Sequence, residues 1–166
     1  LVLDPRVDAE AYPLPTSDIA ALLVFDHQGR AMNLLTRLGW EARIAAAESR
    51  LDPLAGDLRE LVRETADYLL FVDEAALPSP IQGVTRFAQA FGERGPRDRR
   101  GRSLRELDLQ TRLFRYRCSY MIYSPAFDAL PGAIRAAVYS RMRETLVARG
   151  DDVVMEILDE TRRGWR

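Results

Sequence analysis

The chain has 166 residues, of which 47% are hydrophobic and 30% charged, with a formal net charge of −1. That length can bury one self-sufficient core, and the charge balance leaves no bulk field to recruit nucleic acid or an anionic membrane. A single cysteine, Cys118, excludes an internal disulfide, a thiolate zinc cluster and a CxxCH haem attachment. No apolar run approaches the roughly 20 residues that a bilayer span requires.

Residues 1 to 15 contain Pro5, Pro13 and Pro15 with little periodicity and read as an extended arm, because proline fixes φ and lacks an amide donor. The chain starts at Leu1 without a signal-peptide pattern, which reads as a processed or truncated start. Residues 16–166 read as one helical domain. Thr16, Ser17 and Asp18 offer capping oxygens. A long helix should follow to Glu48, with Ile19, Leu23, His27, Leu34 and Leu38 on its inward face and Leu22 and Leu35 beside them. Gly29 and Gly39 each cost it about 1 kcal/mol against alanine.

Asp52-Pro53 reads as the cap and first position of a second helix, with Leu54, Leu58, Leu61, Val62, Leu69 and Val72 inward and Leu77-Pro78-Ser79-Pro80 ending it. Val84, Phe87 and Phe91 suggest a short helix or an ordered loop, and the glycine- and arginine-rich stretch 92–102 a loop. Ser103 and Glu106 form a capping box, so a helix is expected through Leu107, Gln110, Leu113 and Phe114. Tyr116 to Tyr123 is read as helix, and Ser124-Pro125 and Leu130-Pro131 each open a further helical segment. The second carries Ile134, Val138, Met142 and Leu146 and is capped by Gly150. Asp151 caps a last helix containing Val154, Ile157 and Leu158. The expected fold is all-α, an irregular bundle of about six helices with a proline-rich arm and an arginine-rich loop.

His27 is the only histidine. Multi-histidine metal sites are therefore excluded, and serine-histidine-aspartate triads are set aside with them. Two readings stand for it: a core histidine bonded to a carboxylate or carbonyl, or an axial ligand to a haem held elsewhere. Met32 is a softer ligand candidate that lies well round the helix from His27. The pairs Asp73-Glu74, Asp151-Asp152 and Asp159-Glu160 point in diverging directions on a helix, so capping or solvation is expected of them. Arg94, Arg97, Arg99, Arg100, Arg102 and Arg105 form the strongest charge feature. They suit phosphate or an acidic partner, with a loop paired inside its own chain as the alternative. The stretch lacks the interleaved aromatics that nucleic-acid binding uses. Tyr116, Tyr120 and Tyr123 are expected to share one helical face around a buried, unreactive Cys118.

Several stretches together carry a resemblance. They are Thr16-Ser17-Asp18-Ile19-Ala20-Ala21-Leu22 with Asp26-His27-Gln28 and Asn33-Leu34-Leu35-Thr36-Arg37; Tyr68-Leu69-Leu70-Phe71-Val72-Asp73-Glu74; and Gly95-Pro96-Arg97-Asp98 through Gly101-Arg102-Ser103-Leu104-Arg105 to Ser119-Tyr120-Met121-Ile122-Tyr123-Ser124 and Ala126-Phe127-Asp128-Ala129-Leu130-Pro131. Over about residues 12 to 160 the chain resembles the C-terminal region of uncharacterised exported bacterial proteins whose upstream parts carry c-type haem attachment motifs. The resemblance implies a periplasmic accessory or scaffolding domain of an electron-transfer assembly. Such a domain holds no covalent cofactor but contacts haem c on an upstream segment or partner, with His27 as a possible distal ligand. The alternative is a structural or interaction subunit without a cofactor. Enzymatic action through Cys118 or an acid pair is a third, weaker reading. The sequence departs from the family where Arg30 and Met32 replace a histidine-richer segment, and where Gly150-Asp151 joins two helices directly.

Overall fold

A computed structural model describes residues 18–83 and 85–165; the expected arm at residues 1 to 15 lies outside them. The first helix, α1, runs Ile19–Ala47, so neither Gly29 nor Gly39 breaks it. Asp18 starts it: Oδ1 accepts from the amides of Ala20 at 3.0 Å and Ala21 at 3.2 Å. Its other oxygen accepts from the amide and the hydroxyl of Thr85, which ties the helix start to the loop before Phe87. Burial pushes this carboxyl up, but the Thr85 and backbone hydrogen bonds outweigh it and hold Asp18 below the usual carboxylate range.

The inward face of α1 comprises Ala20, Val24, His27, Ala31, Leu34, Leu35, Leu38, Ala42 and Ala45. Ile19 and Leu22 are exposed, which corrects the expectation that both face the core. At the first turn the small Ala20 and Val24 fit close packing and the larger side chains stay outside.

The second helix, α2, is Gly56–Leu69. It starts later than Asp52-Pro53 suggests, because Asp52 accepts from the Leu54 amide at 2.8 Å in a local turn that leaves Leu54 solvent-exposed. It also stops earlier: Phe71 takes a positive φ of 51°, turning the chain before Val72. The short α3 is Phe87–Gly92.

The capping box at Ser103 forms without a helix behind it. The Ser103 amide donates to Glu106 Oε1 at 3.0 Å, and the Arg105 amide to Ser103 Oγ at 3.3 Å. Asp108 then accepts from the amides of Thr111 and Arg112, folding the chain back so that Leu107 bridges Phe114 in antiparallel fashion. This hairpin-like excursion replaces the helix expected there. Its Leu109 and Thr111 carbonyls accept from the amides of Ile81 and Leu77, pairings that a helix would forgo. Tyr116 to Tyr123 is helical only as a 3-10 turn over Tyr120–Tyr123, so the three tyrosines share no face. Tyr120 donates to Gln28 of α1, and the Tyr123 hydroxyl meets that of Thr161.

Ser124 caps the single turn α4, Pro125–Asp128. Next come α5, Gly132–Arg149, closed by Gly150 at φ 64°, and α6, Asp152–Thr161, capped by Asp151. These agree with the sequence reading. The α2 helix packs against both α1 and α5, α5 carries α6, and α3, α4 and the 3-10 turn lean on α1. One core runs from Val24 to Trp165, its largest fully buried side chains including Phe114, Phe127, Leu35, Leu38, Ile134 and Met142. The fold is an all-α bundle of six helices among the described residues, and none of them is long and apolar enough to cross a membrane.

Candidate functional site

His27 sits mid-way along the inner face of the first half of α1, only 5% exposed. Its Nε2 lies 2.7 Å from the Oγ of Ser119, the residue that opens the 3-10 turn. Ser119 Oγ also accepts from the Met121 amide at 3.1 Å, so its own proton is free to go to the imidazole. Either tautomer serves the contact: Ser119 donates to a bare Nε2, or Nε2–H donates to a hydroxyl oxygen that can accept twice.

Four aromatic rings enclose the imidazole. Tyr68 stacks at 5.2 Å, Phe71 lies at 5.0 Å, Phe114 meets it edge-on at 5.3 Å, and Tyr120 is 6.2 Å away. The Tyr68 hydroxyl donates to the His27 carbonyl at 3.2 Å, fixing the box to the helix backbone. Desolvation in this enclosure lowers the His27 pKa to about 4, against a smaller upward pull from Asp26. The ring is therefore neutral at pH 7. Burial likewise raises Tyr68, to about 12.

One edge of the box opens to a groove of about 430 Å³ between α1 and the end of α2. Asp26, Glu64, Asp67, Asp73 and Glu74 line it against Arg30 and Arg63, so its character is acidic. Asp67 is held by Arg141 at 3.2 Å and Arg63 at 3.3 Å. Burial raises the Glu74 carboxyl, which accepts weakly from the Leu113 amide at 3.5 Å. No group of three or more histidine, cysteine or carboxylate side chains among the described residues is placed to hold a metal ion.

The other candidates separate. Met32 is on the solvent face of α1, away from the imidazole, so the structure does not bring the two ligand candidates together. Cys118 is fully buried and burial pushes its thiol up, in keeping with an unreactive core residue. The arginine-rich loop is tied to its own chain. Arg97 donates to the carbonyls of Gly101 and Gly92, Arg99 pairs with Glu160 at 3.1 Å, and Arg100 with Glu156 at 3.0 Å. Arg102 bridges Glu156 and Asp98 at 2.8 and 2.6 Å. Arg105 lies over the rings of Phe91 and Tyr120 at 4.0 and 4.6 Å. The loop is thus clipped onto α6, though Arg99 and Arg100 keep most of their side chains in solvent.

Ser119 is the site residue that sequence reasoning missed. A triad needs only one imidazole, so a single histidine does not exclude it, and the structure brings a serine to within 2.7 Å of His27. This pair is nonetheless not a nucleophile and base open to substrate, because Ser119 is completely buried. The available signal was local: a serine just before an apolar run is a capping pattern, and Ser119 caps Tyr120–Tyr123. No family model matches the chain, nor does any curated protein or solved structure.

Proposed function

We propose that this chain is an accessory, protein-binding helical domain of a larger assembly, with His27 serving as an internal latch. The observation that carries this reading is the 2.7 Å contact between His27 Nε2 and Ser119 Oγ inside an aromatic enclosure. The one imidazole is spent on joining α1 to the 3-10 turn. The arginine loop likewise fastens itself to α6, and Arg99 and Arg100, though paired with Glu160 and Glu156, keep most of their side chains in solvent for a partner to meet.

The resemblance adds the setting: an exported, periplasmic electron-transfer assembly whose haem belongs to an upstream segment or a partner. There the domain supplies shape and fixed charge, and the cofactor supplies the chemistry. A distal-ligand role for His27 is the rival reading. It requires iron to reach a ring nitrogen inside the aromatic box, either Nε2 once the Ser119 contact opens or Nδ1 with that contact intact. Met32, on the opposite side of α1, cannot complete the same site.

His27→Ala in the complete, haem-loaded assembly decides between the two. The latch reading expects unchanged haem absorption and midpoint potential together with a lower melting temperature of this domain. A shifted Soret band or potential would give His27 to the iron.

A further inference from the structure

The outer face of α1 is as apolar as a helix interface. Leu22, Phe25, Met32 and Trp40 stand 53%, 73%, 37% and 65% exposed. With Gly29 and Thr36 they recur at spacings of three and four, so they line one stripe about 27 Å long on the side opposite His27 and Leu38. No ring of the described residues packs against Phe25 or Trp40.

We infer that this stripe seats a second copy of the same chain, its α1 running antiparallel to the first. Self-complementarity is the main reason. About the level of Ala31, and to within one residue's rise of about 1.5 Å, Leu22 mirrors Trp40, Phe25 mirrors Thr36, and Gly29 mirrors Met32. A two-fold axis there sets large side chains against small ones, as an isologous contact requires. Gly29 agrees with this account. Among the described residues no heavy atom beyond its own helix backbone and chain neighbours stands within 4 Å of where its Cβ would be, so no packing there offsets the helix stability that glycine forfeits. As a notch for Met32 of the second copy it has a use.

Charge agrees with the direction. Asp26 and Arg37 flank the stripe, both exposed and neither in a hydrogen bond or ion pair among the described residues. Antiparallel pairing brings Asp26 of one copy to Arg37 of the other, twice. Arg30, nearest the axis, is drawn aside over the Tyr68 ring at 5.1 Å, so like charges do not meet there. The four apolar side chains and Ile19 make a strip one helix wide, narrower than the faces that hold permanent dimers, so the association should be reversible. The inference is independent of the role assigned to His27.

Sedimentation of the intact chain over a wide concentration range tests it. A monomer–dimer equilibrium is expected, and Phe25→Ser with Trp40→Ser should weaken it about 100-fold, since aromatic anchors dominate such contacts. Gly29→Leu should weaken it too while leaving the monomer folded, because its side chain meets open space. The orientation is read from charge reversal. Asp26→Arg alone and Arg37→Asp alone should each weaken pairing about 10-fold, and the double variant should restore it. A chain that stays monomeric at all concentrations overturns the inference. So does a dimer indifferent to Phe25 and Trp40, or one that the double reversal fails to restore. A monomer that melts earlier with Phe25→Ser and Trp40→Ser would instead place the chain's own residues 1 to 17 on the stripe.

Discussion

Acidification is the perturbation that bears most directly on the His27 enclosure. In the unfolded chain its imidazole titrates near 6.5, whereas in the fold burial lowers it to about 4. The sign follows from proton binding. Between those values the unfolded chain holds a proton that the folded chain does not, so lowering the pH favours unfolding. The stability tied to the neutral ring is complete above pH 6.5, drains as the pH falls, and stops draining below about 4. Each pH unit in that window is worth about 1.4 kcal/mol, so the whole loss is about 3 kcal/mol. That is a large share of the stability of an ordinary domain, which is about 5–15 kcal/mol.

Urea unfolding of the wild type and of His27→Gln across this range isolates the effect. Glutamine is close in size and polar, but does not titrate. The acid response of carboxylates such as Asp18 and Asp98 is common to both proteins and cancels in the difference. His27→Gln should be the less stable protein at pH 7, with the gap closing by about 3 kcal/mol as pH 4 is approached. Parallel stability profiles, or a folded-state imidazole that titrates near 6.5 by NMR, would refute the enclosure argument.

Two further outcomes follow from the same packing. Cys118, fully buried with its thiol pushed up, should resist a thiol reagent in the native protein and react promptly in urea; rapid native-state labelling would mean that the core opens locally. Glu156→Ala with Glu160→Ala removes the acceptors that clip Arg99, Arg100 and Arg102 to α6. Global stability should change little, because exposed ion pairs add little to it, and trypsin should cut the 97–102 loop much faster.

Much of the helical frame was legible in the sequence because local chemistry fixed it. The apolar period marked α1, α2, α5 and α6, and the termini had their own signals. Asp18 and Asp151 accept from first-turn amides, Ser124 caps α4, and Gly150 supplies the left-handed stop after α5. Tertiary contacts decided what lies between. Ser103 and Glu106 made their capping box, yet Asp108 turned the next residues back, where Leu109 and Thr111 found partners in the 77–81 segment. Leu54 matched the period of a buried stripe and is exposed, because the Asp52 turn delays α2.

The identity of His27 as the one imidazole was in the sequence; its partner was not. Ser119 stands 92 positions away; its capping place before Tyr120 is a local signal, but nothing local pairs it with His27 until folding brings the 3-10 turn against α1. The same holds for the arginine loop, whose charge was plain but whose partners, Glu156 and Glu160, come from the last helix. Periodicity and capping are written over three or four residues and can be read in order. Hydrogen-bond partners and enclosing rings belong to distant segments, and only the packed chain selects them.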